Sequence, residues 1–148
     1  MKILIDADAC PVKEITVREA KKRNLEVVMV CDTSHIINDG YSKTVTVDKA
    51  ADSADMKLVN MTSRGDVVIT QDYGVAAMAL SKGAFPINQN GLIYSQENID
   101  RLLFERHLSA KVRRSGGKHK NAKKRTKQDD IYFLESLIMV IDKYMSIL

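Results

Sequence analysis

Gly65-Asp66-Val67-Val68-Ile69-Thr70-Gln71-Asp72-Tyr73-Gly74 is the stretch on which the fold turns. A glycine closes the preceding element, four β-branched residues follow without a charge, and an acid stands just beyond them. An unbroken apolar run lacks the alternation of a half-exposed strand, so it reads as a strand buried on both faces, as in parallel sheets. The chain opens in the same way, with the short run Lys2 to Ile5 followed by Asp6-Ala7-Asp8. Leu25 to Cys31 is rich in β-branched residues and reads as another strand, and Thr44 to Val47 as a weaker one. Phe85 to Asn88 and Leu92 to Tyr94 are two further short strands around a turn at Asn88 to Gly91.

Helices fill the intervals. Pro11 suits a helix start, where its missing N–H costs nothing, and the helix continues from Val12 to Lys22. Asp52 or Ser53 caps a helix to about Met61, with Asp55 in the first turn, where the helix dipole favours an acid. Val75 to Lys82 is closed by Gly83, and Ser95 caps a helix to about Leu108. Asp32 to Ser42, with Asn38-Asp39-Gly40, is a loop. The last helix runs from about Asp129 to Met145. Its stripe is expected at Ile131, Leu134, Leu137, Ile138, Ile141, Tyr144, Met145 and Leu148, widened by Phe133, Met139, Val140 and Ile147. So broad an apolar surface implies burial on two sides or a homodimer. Strands alternating with helices predict a three-layer α/β/α fold with a mostly parallel central sheet.

Composition sets the outer bounds. A chain of 148 residues makes one domain, 1–148, with a core at 1–110, a basic segment at 111–127 and a C-terminal helix at 128–148. Its 45% hydrophobic content excludes a largely disordered chain. No apolar run approaches the roughly 18 residues of a membrane helix, so no membrane partner is expected. The first strand reaches Asp6 too early for a signal or transit peptide. Cys10 and Cys31 form no zinc or redox spacing, and reduced thiols in a cytoplasmic protein are the expectation. The net charge of +4 is unevenly spread. Acids outnumber bases up to Ala110, whereas the stretch Lys111 to Lys127 holds only bases among its charged residues. That asymmetry points to an anionic partner, most often nucleic acid.

In parallel sheets, ligands bind beyond the carboxyl ends of the strands. Asp6 and Asp8 follow one such end and Asp72 another. Two residues apart on an extended backbone, Asp6 and Asp8 would point the same way. Asp52 and Asp55 share a face at a helix start. Carboxylates converging at one rim repel each other unless a cation joins them, and all-oxygen donors suit Mg²⁺ or Mn²⁺. Such a metal lowers the pKa of a bound water and stabilises the leaving oxygen of a phosphodiester. The plainer readings are that Asp72, Asp52 and Asp55 only cap helices. Asp66 precedes its strand and is a turn residue at the opposite end of the sheet.

Asp6 to Val12 (Asp-Ala-Asp-Ala-Cys-Pro-Val), Ala54-Asp55, the stretch Gly65 to Gly74, and Ala76-Ala77 closely resemble the bacterial YaiI/YqxD family, which looks PIN-like in fold. The likeness covers the chain to about Gly117. PIN-like proteins are typically Mg²⁺- or Mn²⁺-dependent nucleases, often acting on RNA. The resemblance therefore implies catalytic roles for Asp6, Asp55 and Asp72, with Asp8 and Asp52 as supporting ligands. Thr70 resembles the hydroxyl residue that such sites often keep. The tail departs from the pattern: Lys118 to Lys127 contains no proline where the family usually has a Gly/Pro-rich stretch. The Asp129-to-Phe133 stretch still resembles the family's aspartate before an aromatic helix.

Cys10 beside the acids is read as a packing residue, since no histidine nearby in sequence would activate it. His35, His107 and His119 show no metal-ligand spacing. Arg113, Arg114, Lys118, Lys123, Lys124 and Arg125 are expected to hold a phosphate backbone electrostatically, without base stacking, or to form a solvated arm. The expected function is a metal-dependent nuclease acting on RNA. One alternative is a non-catalytic RNA-binding or regulatory protein with the same shell. The other is a phosphatase of the haloacid dehalogenase type, suggested by Asp6-x-Asp8 and disfavoured because Gly65-Asp66 precedes its strand.

Overall fold

The computed structural model describes residues 1–32, 38–48, 53–116 and 123–147. Five strands and five helices follow one another as β1 (Lys2–Asp6), α1 (Lys13–Lys22), β2 (Glu26–Asp32), β3 (Lys43–Val47), α2 (Ala54–Met61), β4 (Val67–Ile69), α3 (Tyr73–Ser81), β5 (Phe85–Ile87), α4 (Gln96–Arg114) and α5 (Lys127–Ile147). The strands form one sheet in the order β3-β2-β1-β4-β5, with every pair parallel. The fold is a three-layer α/β/α sandwich, as the strand–helix alternation implies.

Successive strand residues face opposite sides of a sheet, and this divides the core in two. Ile3 and Ile5 pack with Val27, Met29 and Ile69 against Val17 and Ala20 of α1 and Phe133, Leu137 and Ile141 of α5. Leu4, Val28, Val30 and Val68 pack on the other side against Leu58 and Val59 of α2 and Val75 and Ala79 of α3. A smaller cluster of Ala76, Tyr94, Ile99 and Leu102 fastens α4 to α3.

Three local expectations change. Leu92 to Tyr94 is no strand: Ile93 makes a single antiparallel bridge to Ile87. The segment turns over the end of β5 and has no long neighbour to pair with. Helix α4 continues past Leu108 to Arg114, although Phe104, Leu108 and Val112 on its outer face are exposed. Its Ser95 capping box and the basic residues of its last turn support it locally. Helix α5 buries Phe133, Leu137, Val140 and Ile141, while Ile131, Tyr132, Met139 and Met145 are exposed. The core face is therefore rotated from the expected stripe. With more apolar residues than one face needs, periodicity alone does not choose which side turns inward.

Helix α5 is seated by close backbone approach. Gly91, at φ +91°, lies against it: a Cβ there would stand 2.7 Å from the Tyr132 carbonyl oxygen. Ser136 Oγ donates to the Gly91 carbonyl at 2.6 Å. At the amino edge of the sheet Asp66 is buried. It accepts from the Lys2 backbone N–H at 3.1 Å, from Lys2 Nζ at 2.6 Å and from the Ser63 N–H at 2.8 Å. Asp66 thus ties β1 to the turn before β4, far from the carboxyl ends, as its position before the strand suggests. Among the described residues, no helix is long and apolar enough to cross a membrane.

Candidate functional site

The strand order reverses direction between β1 and β4, and the crevice beyond their carboxyl ends is where such sheets take ligands. Asp6 ends β1, on the same side of the sheet as Leu4, toward α2 and α3. Thr70 leaves β4 on that side too. Its hydroxyl donates to Asp6 Oδ2 at 3.2 Å and accepts the Asp72 backbone N–H at 3.0 Å, so one buried side chain sets the spacing of two acids. Tyr94 supports Thr70 from behind, its hydroxyl donating to the Thr70 carbonyl at 3.2 Å.

Asp72 is the N-cap of α3, and its Oδ1 accepts the N–H groups of Gly74 at 2.8 Å and Val75 at 3.2 Å. The plain capping reading of Asp72 is therefore true of one oxygen. Asp55 stands in the first turn of α2, capped by Ser53, with its carboxyl within hydrogen-bonding reach of Asp72. Asp8 lies in a turn and not on an extended strand, so the expected parallel pointing of Asp6 and Asp8 has no basis in the backbone. Asp8 still reaches the site, and its Oδ2 accepts the Asp32 N–H at 3.1 Å. The next residue, Ala9, adopts φ 59°, a left-handed conformation that costs a non-glycine residue roughly 1–2 kcal/mol.

The electrostatics record the convergence. Burial, then the charge of Asp55, and further Asp8 and Asp72, raise the Asp6 pKa from 3.8 to about 6, against the lowering effect of the Thr70 hydroxyl. Burial and then Asp72 raise that of Asp55. The four acids thus occupy one field. Among the described residues, however, no three acids, histidines or cysteines close to the spacing at which they would hold a metal ion together. Asp52 and Lys118 lie outside the described residues, as do His35 and His119.

Asp6, Asp8, Thr70 and Asp72 line a cavity of about 650 Å³, which also receives Gln71, Tyr73 and Gln89, and from α4 Glu105, Arg106 and Ser109. The contribution of α4 is invisible without the tertiary structure, apart from the signal that its inner face changes from apolar to polar at Arg106. Cys10 also lines the cavity, but burial pushes its thiol up, the opposite of an activated nucleophile. His107 is exposed.

The basic candidates divide. Arg113 and Arg114 are exposed in the last turn of α4, and Lys123 and Lys124 are exposed before α5. Arg125 is already engaged. Its Nε donates to Asp130 at 2.8 Å, and its two Nη groups donate to Asn90 Oδ1 and the Gln89 carbonyl at 2.8 Å each. It clasps the turn after β5 to the start of α5.

The family model described as "Uncharacterized BCR, YaiI/YqxD family" matches residues 4–143. A UPF0178 protein of Ruminiclostridium cellulolyticum is 61% identical over 141 residues, covering 95% of this chain and 92% of its own. UPF0178 proteins of Clostridium tetani (51% identical, covering 97% and 98%) and Alkaliphilus oremlandii (52% identical, covering 97% and 92%) are similar over the same extent. No solved structure matches the chain.

Proposed function

This chain belongs to the YaiI/YqxD family, and on that premise we propose that it is a divalent-metal-dependent nuclease that hydrolyses phosphodiester bonds in RNA. The observation that carries this reading is the gathering of Asp6, Asp8 and Asp72 on one crevice at the switch point of the sheet, with Asp55 close enough for its charge to help raise the Asp6 pKa to about 6. Acids whose charges raise the pKa of a neighbour, as those of Asp55, Asp8 and Asp72 do for Asp6, favour a cation among them. The donor chemistry fits Mg²⁺ or Mn²⁺. No three donors close on one point among the described residues, so an ion here would have to take much of its coordination from water, as Mg²⁺ does.

Asp6, Asp8, Asp55 and Asp72 would hold the ion, in part through its bound waters, and it would supply Lewis-acid activation and charge neutralisation at the scissile phosphate. Thr70 ties the Asp6 carboxylate to the Asp72 main chain and so keeps the two acids on one side of the crevice. Asp6, its pKa raised to about 6 by burial and its acidic neighbours, would give up its proton when the cation binds and face the ion as a carboxylate. Capping of α3 fixes Asp72 Oδ1, and Asp55 lies within hydrogen-bonding reach of the same carboxylate.

Calorimetric titration of Mn²⁺ into wild type and Asp72→Asn, with RNA cleavage followed in parallel, tests the proposal. Asparagine keeps the capping acceptor, so the variant should fold. We expect Mn²⁺ affinity to fall at least tenfold and cleavage to fall with it. Metal binding without cleavage would move the protein to the non-catalytic RNA-binding reading. Absence of metal binding in wild type would leave the acids a structural role only.

A further inference from the structure

The inner face of α4 changes its chemistry along its length. Ile99, Leu102, Arg106, Ser109 and Arg113 recur at spacings of three and four and therefore share one side of the helix. Ile99 and Leu102 are buried against α3, whereas Arg106 and Ser109 face the acidic cavity one and two turns later. A guanidinium opposite a bank of carboxylates would be expected to pair with one of them. Arg106 instead lies over the Tyr73 ring, 5.9 Å from its centroid, and takes part in no ion pair among the described residues. Its hydrogen-bond donors are left for an anion.

Gln89 lines the same cavity and holds a second uncommitted group. Gln89 Oε1 is buried and accepts no hydrogen bond among the described residues. A buried acceptor without a donor costs roughly 1–3 kcal/mol, and a ligand hydroxyl or amine would relieve that cost. The main chain at Gln89 is fixed independently, because its carbonyl accepts from Arg125 at 2.8 Å. The volume of about 650 Å³ lies within the roughly 300–1,000 Å³ of small-ligand pockets.

Resting on the nuclease reading, we propose that this cavity is a subsite for one ribonucleotide of a single strand, with Arg106 binding a phosphate neighbouring the scissile one and Gln89 Oε1 accepting a hydrogen bond from the ribose 2′-hydroxyl. The Tyr73 ring positions Arg106. The 2′-hydroxyl is the group by which a protein tells RNA from DNA, so Gln89 is the discriminating residue. Arg113, on the same helix face two turns on from Arg106, continues the phosphate track out of the cavity.

Fluorescence anisotropy of labelled oligouridylate and oligodeoxyuridylate, in Ca²⁺ and over a range of salt, tests the subsite. Arg106→Ala should weaken both strands about tenfold and make the slope of log K against log salt shallower by about 0.7, one phosphate on a single strand. Gln89→Leu should weaken the ribo strand severalfold and leave the deoxy strand unchanged. Unchanged affinity in Arg106→Ala, or a loss with an unchanged salt slope, overturns the phosphate assignment. Equal binding of both strands by wild type, or equal losses in Gln89→Leu, overturns the ribose assignment. Thermal melting and Mn²⁺ titration of each variant separate the two levels. If wild type binds Mn²⁺ and cuts RNA while Arg106→Ala behaves as wild type, only the subsite falls. If wild type binds neither metal nor strand, the nuclease reading falls with it.

Discussion

Asp6 carries the tension of the site. Its pKa of about 6 lies above the ordinary 3.8, so between those values the native state holds a proton that the unfolded state has released. Stability of the metal-free protein must therefore fall as pH rises from about 4 to about 6, and stay lower above that. Asp55 shifts in the same direction and adds to the effect. Asp6→Asn removes the ionisation and keeps an acceptor for Thr70. The metal-free variant should melt several degrees above wild type at pH 7.5 and within about a degree of it at pH 4, read by calorimetry. A variant no more stable than wild type at pH 7.5 would show that ionised Asp6 carries no strain. At this scale the sequence placed Asp6 and Asp72 at strand ends and Asp55 at a helix start, as the structure has them. It was misleading about why Asp8 joins them, since the strand stops before Asp8.

Among elements, the two ends of the sheet have separate duties. The amino edge is held by Asp66, buried with three donors from Lys2 and Ser63. Asp66→Ala should cost about 2–4 kcal/mol in urea denaturation, because it strands those donors in a buried place. Mn²⁺ affinity of the folded fraction should stay as in wild type, the acids being at the other edge. A parallel loss of metal affinity would mean that the edges are coupled. The strands were legible because buried parallel strands are short, apolar and β-branched. The reach of α4 and the inward side of α5 were not. Both depend on what packs against a helix, and α5 has apolar residues on more than one side.

Across the whole molecule, the basic segment divides into a clasp and a charged surface. Arg125 joins Gln89, Asn90 and Asp130, and so closes the chain back onto the turn after β5. Arg125→Ala should lower stability by about 1–3 kcal/mol through its lost charge-assisted bonds. Replacing Lys123 and Lys124 by alanine should leave stability within about 0.5 kcal/mol and weaken RNA binding, with a shallower salt dependence. Denaturation and binding measured on the same samples distinguish these two roles. RNA affinity unchanged by the lysine pair would show that those residues form a solvated face.

The alternation of five strands with helices, the mostly parallel sheet and the acids at strand ends were determined by the sequence alone, while a sixth strand read at Leu92 to Tyr94 is only a bridge. Each rests on local chemistry: β-branched runs, capping residues, and acids placed just past an apolar stretch. Tertiary structure decided what lies across from those acids. Arg106 and Gln89 carry no motif, and with Tyr73 they matter because α3, α4 and the turn after β5 meet over the switch point. It also decided that Arg125, one basic residue among many in sequence, is bound within the fold. A charge is free or engaged according to what stands within about 3 Å of it. For Arg125 that neighbourhood comes from Gln89 and Asn90, 36 and 35 residues away along the chain.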